Sequence, residues 1–180
     1  MILTIAGTPG SGKDTVAKIL SEELDLQLIS LGNLRREAAK QKNMTLEEFN
    51  KWSLDNSEEG DSYFDDYQKD FGRKNNNFIM VSRLGWYFIP HSIKIFVDVD
   101  EKVGAERIFN EKNVDNSRNE LISKDVDEQV KLNKQRINND IRRYSLLYGI
   151  NPYEKTNYNL IIDSTSKTPR EIVDIVKSRL

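Results

Sequence analysis

The run Gly7-Thr8-Pro9-Gly10-Ser11-Gly12-Lys13 sets three glycines in a tight turn and a lysine directly after the last. Glycines let a backbone curl until successive N–H groups point at one anion. A helix that starts there adds partial positive charge at the same spot, and a lysine in that place carries a mobile ammonium to the terminal phosphates of a nucleotide. This is the phosphate-binding loop pattern, provided a strand precedes it and a helix follows. The full pattern continues with Ser or Thr, whose hydroxyl ligates Mg²⁺. Here Asp14 stands in that place and Thr15 comes next. Asp14 could ligate Mg²⁺ directly or through water, favour the helix N-terminus by its charge, or mark a degenerate site. Asp14 and Thr15 are the candidate metal residues.

Other charged residues have suggestive positions. Arg83 lies just past an apolar run, at what would be the carboxyl end of a strand, where open α/β sheets bind ligands. Arg136, Asp140 and Arg143 share one face of a helix. On a surface such a ladder is worth under about 1 kcal/mol; over a phosphate, an arginine fork fixes position and angle together. Asp61 and Asp65 stand one turn apart, which suits acid–base chemistry or merely a solvated acidic face. His91, between Pro90 and Ser92, reads as a loop residue, and Trp52 and Trp86 as packing groups.

The elements that must position these residues follow from hydropathy patterning. Ile2 to Ala6 reads as a buried strand closed by Gly7. Val16, Ile19, Leu20 and Leu24 keep helical spacing after Gly12, and Leu26 to Ser30 reads as a second strand. Strand, helix and strand within so short a stretch predict a βαβ unit and a parallel sheet. Three short helices are expected at 33–42, 45–54 and 57–72, the second opened by a Thr45/Glu48 capping box. Further strands are expected at 78–81, 93–99 and 158–162, and a helix at 102–112. The charged stretch 113–147 predicts a long, mostly exposed helix, with a weak stripe of Val126, Val130, Ile137 and Ile141 and room for a short helix before it. Thr168, Pro169 and Glu171 open the last helix as N-cap, first position and third position.

The chain has 180 residues, the length of one domain, and that is enough to bury a core without staples. Its 27 basic and 29 acidic side chains give a net charge of −2, which excludes a basic nucleic-acid coat. With no cysteine and one histidine, thiol chemistry, Cys-zinc sites, iron–sulfur clusters and most Ser-His-Asp schemes drop out. No apolar run approaches a membrane span and the first strand is too short for a signal peptide, so the expected compartment is the cytoplasm.

One further set of motifs completes the reading. Ser30-Leu-Gly-Asn-Leu-Arg-Arg-Glu37 follows the second strand, and Met44-Thr-Leu-Glu-Glu-Phe-Asn50 comes next. Asp61-x3-Asp65-x2-Gln68, Ser82-Arg-Leu-Gly-Trp86, Ala105-Glu-Arg-Ile108 and Arg143-Tyr-x3-Tyr148-Gly-Ile150 complete the series. With the glycine loop, these make the chain resemble, over nearly its full length, the nucleoside monophosphate kinases, most closely the short archaeal-type cytidylate kinases. It departs from that pattern at Asn33, where the family usually has Asp, and at Asp66, where a basic residue is common. Gly-Lys-Asp-Thr at the loop is similar to phage deoxynucleoside monophosphate kinases.

The resemblance implies a P-loop nucleoside triphosphate hydrolase fold: a five-stranded parallel sheet flanked by helices, forming a single domain. Its core would be 1–31, 76–112 and 151–180, with an acceptor-binding insert at 32–75 and a lid region at 113–150. It implies transfer of the terminal phosphate of ATP, with Mg²⁺, to a nucleoside monophosphate, CMP or dCMP. The alternatives are a kinase for AMP, another deoxynucleotide or a cofactor precursor, and an inactive nucleotide-binding module. ATP would bind Gly7 through Thr15, with Arg107 flanking the adenine and residues 163–167 lining its pocket. Arg36 and Arg83 would clamp the acceptor phosphate, with Arg35 the candidate if the register slips by one. Ser30, Asp61, Asp65 and Gln68 would meet the acceptor's base or sugar, and Arg136 and Arg143 would reach phosphates from the lid, held apart by Asp140. Lys13, Arg83, Arg136 and Arg143 form the expected catalytic set. The expected partners are ATP and the acceptor alone, with no nucleic acid polymer and no membrane, acting on a monomer.

Overall fold

The computed structural model describes residues 1–56, 58–114 and 123–180, with only the backbone given for 112–114. Five strands form one sheet: β1 (Ile2–Gly7), β2 (Gln27–Ser30), β3 (Phe78–Val81), β4 (Ile93–Asp98) and β5 (Leu160–Asp163). Their order is β2-β3-β1-β4-β5 and every pairing is parallel. β1 lies in the middle, paired with β3 on one side and β4 on the other. The chain therefore leaves the centre in both directions, and a crevice opens outside the carboxyl end of β1. Gly7 and Val81, which close β1 and β3, lie at that end.

The alternation of side chains along the strands divides the core in two. Leu3, Ile5, Ile79, Val81, Ile95 and Val97 face one way. They pack on Val16, Ala17 and Leu20 of α1 (Lys13–Leu24) and on Ile172, Val173 and Val176 of α8 (Pro169–Lys177). Phe78, Met80 and Ile29 face the other way, onto Phe49 and Phe64. Those two belong to the second and third of three helices lying between β2 and β3: α2 (Leu31–Gln41), α3 (Leu46–Asp55) and α4 (Asp61–Lys74). The expected acceptor insert is thus bound to the sheet through its own apolar seam. The Thr45 and Thr168 side chains cap α3 and α8, and in each the third-position glutamate returns a bond to the capping N–H. Each cap is worth about 1 kcal/mol.

Several expectations shift by a few residues. The third insert helix begins at Asp61; its expected start at Ser57 falls outside the described residues. The last strand starts at Leu160 because Tyr158 instead follows a 3₁₀ turn, Lys155–Asn157, with its hydroxyl donating to Pro152 O at 2.5 Å. A four-residue helix, α5 (Gly85–Phe88), was not anticipated.

The sixth helix, α6 (Glu101–Val114), precedes the long helix α7 (Val126–Tyr148). The part of the expected lid at 115–122, and any short helix there, lies outside the described residues. The Val126, Val130, Ile137, Ile141 stripe is only half-buried; the buried face of α7 is Gln129, Asn133, Arg143 and Tyr144. Its two buried amides are satisfied by each other and by Ser123, just before the helix. Ser123 Oγ donates to Gln129 Oε1 at 2.9 Å, and Gln129 Nε2 donates to Asn133 Oδ1 at 2.8 Å. Among the described residues no helix is long and apolar enough to cross a membrane.

Candidate active site

The glycine loop runs from the end of β1 to the start of α1. Gly10 and Gly12 both have φ of 77°, the left-handed region that side chains disfavour. At Gly10 a Cβ would also stand 2.1 Å from Gly104 O, so the loop lies directly on α6. α1 has Gly12 as N-cap and no side-chain cap, which leaves its first N–H groups to an anion. Thr8 Oγ1 donates to Asp98 Oδ1 at 3.1 Å and Ser11 N–H to Thr8 O at 3.3 Å, fixing the curl. Pro9, Gly10, Lys13 and Asp14 line the cleft.

Lys13 Nζ lies 3.7 Å from Asp14 Oδ2, and Asp14 Oδ1 accepts from Ser30 Oγ at 3.3 Å. Ser30 has a second task, since its Oγ caps α2 by accepting from Asn33 N–H at 3.4 Å. Thr15 is exposed and is not among the residues walling the cleft. Asp14 is therefore the loop carboxylate that lines the cleft, whereas Asp98, bonded to Thr8, does not. Among the described residues no three His, Cys, Asp or Glu side chains cluster to hold a metal.

Arg36, Arg83, Arg136 and Arg143, and the alternative candidate Arg35, all line the cleft that Lys13 enters. Arg36 Nη2 donates to Asn33 Oδ1 at 2.5 Å, so the Asn33 departure touches one of the expected site arginines. The Asp66 departure does not: its carboxylate pairs with Lys69 at 2.9 Å and faces a different hollow, on the outer side of α4. Arg83 Nε donates to Asp140 Oδ2 at 2.8 Å, and its Nη1 to Gly7 O at 3.4 Å. Burial would lower the pKa of Arg83, but Tyr153 and Asp140 outweigh it and hold that pKa above its ordinary range. Asp140, expected from the sequence to hold Arg136 and Arg143 apart, thus binds the core arginine Arg83.

Arg143 is instead paired with Asp61. Its Nε donates to Asp61 Oδ2 at 2.8 Å and its Nη2 to Ser53 Oγ at 2.9 Å. Arg35 reaches the same two residues, with Nη1 to Asp61 Oδ1 at 3.0 Å and Nη2 to Ser53 Oγ at 2.9 Å, and its Nε donates to Asn50 Oδ1 at 3.1 Å. Asp61 is 3% exposed and sits behind the cleft wall rather than on it. Burial, then the neighbouring Arg35, pushes Arg143 down to about 10, so it stays charged at neutral pH. Ser53 went unnoticed in the sequence, and Asn50 entered only as the last residue of a motif, because nothing marks two small polar residues of α3 as partners for arginines on two other helices.

Asp65 does line the cleft, with Gln68 and Ser82. It accepts from the Tyr148 hydroxyl at one oxygen and from Gln68 Nε2 at 3.4 Å at the other. Ser82 Oγ donates to Gln68 Oε1 at 2.5 Å. Burial raises the Asp65 pKa, against the pull of Tyr148 and Arg35. Arg107 stands on the far side, donating to Ser164 O at 2.9 Å and Thr165 O at 3.2 Å, and to Gly10 O at 3.4 Å. It joins the phosphate loop to the 163–167 segment. His91 is an exposed loop residue, and Trp52 packs on Phe49.

A phosphate loop at the switch strand of an all-parallel sheet, facing an arginine-lined cleft, defines a P-loop kinase. Solved structures agree on the fold. A protein from Eubacterium ventriosum superposes with a TM-score of 0.71 at 17% identity, covering 99% of this chain and 97% of that one. Shikimate kinase from Bacteroides thetaiotaomicron gives 0.66 at 13% identity, covering 99% and 97%. More particularly, residues 2–166 match the cytidylate kinase-like family, and the chain belongs to it. It is 35% identical over 177 residues to the cytidylate kinase of Archaeoglobus fulgidus, covering 98% of this chain and 92% of that protein. It is 32% identical over 185 residues to the cytidylate kinase of Methanocaldococcus jannaschii, covering 100% and 97%.

Proposed function

We propose that this chain transfers the terminal phosphate of ATP to CMP or dCMP, releasing ADP and the nucleoside diphosphate. Its family supports nucleoside monophosphate kinase activity. The observation that carries the reading is one cleft holding both Lys13 and Arg36, Arg83, Arg136 and Arg143. A protein that only binds ATP needs the loop and its lysine. A second anion brought up to the first needs the arginines.

An oxygen of the acceptor phosphate attacks the γ-phosphorus of ATP; that P–O bond forms as the bond to the β–γ bridging oxygen breaks, and ADP leaves with the electron pair. The protein's task is to place the two anions in line and neutralise them away from water. The loop's N–H groups and Lys13 take the ATP phosphates. Arg36 and Arg83 take the acceptor phosphate, and Arg136 approaches from α7. Asp14 would hold Mg²⁺, which would neutralise charge on the phosphate oxygens of ATP. Arg107 steadies the segment against the adenine. Asp65 supports a cytosine preference, because cytosine presents an amino donor where uracil presents an acceptor oxygen that a carboxylate repels. The 32–75 and 113–150 segments serve as acceptor insert and lid, closing over the substrates on a monomer to exclude water.

The test is ADP release from Mg-ATP with CMP, dCMP, UMP, AMP, GMP and dTMP in parallel. A strong rise with CMP or dCMP is expected. A rise only with another acceptor keeps the kinase but overturns the base preference, with Asn33 beside Arg36 the first residue to change. No rise with any acceptor, alongside ATP binding, overturns the reading.

A further inference from the structure

Tyr153 lies in the connection between α7 and β5, outside every motif considered so far. Its hydroxyl donates to Asp140 Oδ2 at 2.7 Å, the same oxygen that accepts from Arg83 Nε at 2.8 Å. Its ring lies against the guanidinium, with the Arg83 carbon 5.5 Å from the ring centroid. The ring in turn meets Phe96 of β4 edge-on, at 6.4 Å and 84°. Its N–H donates to Asn151 Oδ1 at 3.0 Å. Tyr153 is therefore anchored by the core of the molecule, while Asp140 belongs to α7.

We propose that Tyr153 is a positioning residue for the acceptor-phosphate clamp, holding Asp140 and Arg83 in an end-on pair that leaves Nη2 of Arg83, and the Nη1 hydrogen not given to Gly7 O, to the acceptor phosphate. The inference rests on the functional reading above. A carboxylate and a guanidinium left to themselves favour a fork-on-fork contact with two parallel hydrogen bonds. In that arrangement the edge that should grip a phosphate is occupied by the protein's own carboxylate. Among the described residues, the contact here runs from Nε to a single oxygen. The phenol takes part of that oxygen's capacity and sets the rotation of the carboxylate, while the ring face fixes the guanidinium plane. Burial pushes the Tyr153 phenol well above its ordinary 10, so it remains a donor at any physiological pH.

The experiment is Tyr153→Phe, which keeps the ring and its contact with Phe96, in the wild-type and Asp140→Ala backgrounds. Steady-state kinetics use Mg-ATP and whichever of CMP, dCMP or AMP the unaltered protein turns over best. The acceptor KM should rise about tenfold on loss of a hydrogen bond to a charged group. The KM for ATP and kcat should stay within about twofold, because the clamp binds ground and transition states alike. In the Asp140→Ala background the same substitution should do nothing further. Equal rises in both KM values, or a full effect without Asp140, would assign Tyr153 a merely structural role. Turnover with an unmoved acceptor KM overturns this inference alone. No turnover of any acceptor by the unaltered protein overturns the functional reading and this inference with it.

Discussion

Asp61 and Arg143, 82 residues apart in sequence, meet behind the cleft wall with Arg143 Nε donating to Asp61 Oδ2 at 2.8 Å. Arg35 binds the other oxygen, so a single buried carboxylate serves two guanidiniums and ties α2, α4 and α7 into one body. Removing one partner of a buried ion pair leaves an uncompensated charge, at a cost of about 3–5 kcal/mol. Asp61→Ala should lose that much in urea denaturation. A loss under about 1 kcal/mol would mean that both arginines reach solvent without it, as exposed pairs do.

Asp65 contributes in the opposite sense. Burial raises its folded pKa above the ordinary 3.8, so the folded protein binds this proton more tightly than the unfolded chain does. Stability from this group is therefore greatest below the unfolded value and is lost as pH rises through the folded pKa. Asp65→Asn resembles the protonated acid and escapes that loss. At pH 7 the variant should unfold at a higher urea concentration than the unaltered protein, and the gap should close as pH falls below about 4. A gap that stays constant with pH would place the effect in packing. If Asp65 also meets the acceptor base, the same substitution shifts the ratio of CMP to UMP turnover toward UMP.

Local chemistry was legible in the sequence and long-range polar pairing was not. The capping boxes at Thr45/Glu48 and Thr168/Glu171 lie within one turn, so four residues suffice to read them. The glycine loop was legible for the same reason, and Phe78–Val81 was found to the residue because a strand buried on both faces is an unbroken apolar run. The seam of α7 was misjudged because hydropathy patterning looks for apolar residues, and this seam is built of Gln129 and Asn133, bonded to each other, and Arg143, satisfied by Asp61 and Ser53 on other helices. Asp61 was picked out as an acceptor contact, yet spacing alone could not distinguish a carboxylate on the cleft wall from one just behind it. Asp140 was expected to act on its neighbours on α7, and spacing could not show that it also binds Arg83, just past β3, and Tyr153, in the connection after α7.

Thr168→Ala tests how much the last helix depends on its cap. Thr168 Oγ1 accepts from Glu171 N–H at 3.3 Å, and Glu171 returns to Thr168 N–H at 2.7 Å. α8 sets Ile172, Val173 and Val176 against the sheet beside α1, so its apolar packing survives the substitution. The loss should be about 1 kcal/mol, that of a cap alone, read as a lower unfolding midpoint with unchanged kinetics. A loss of about 3 kcal/mol or more would mean that the helix docks only when capped.

Asp14 is where the chain departs from the loop pattern, and the departure carries its own prediction. A carboxylate one residue past Lys13 repels the phosphates unless a cation stands between them. If Asp14 is that cation's ligand, Asp14→Asn should weaken Mg²⁺ binding in the ATP complex by about tenfold or more. Displacement of bound Mn²⁺ by Mg²⁺, followed by electron paramagnetic resonance, measures this without turnover. Asp14→Ser restores the hydroxyl that the pattern usually carries and should recover most of the metal affinity, whereas Asp14→Ala should not. Thr15→Ala should leave it unchanged, since Thr15 is exposed and off the cleft wall. Were Asp14 present only for the N-terminus of α1, Asp14→Asn would cost a few tenths of a kcal/mol of stability and leave Mg²⁺ affinity where it was.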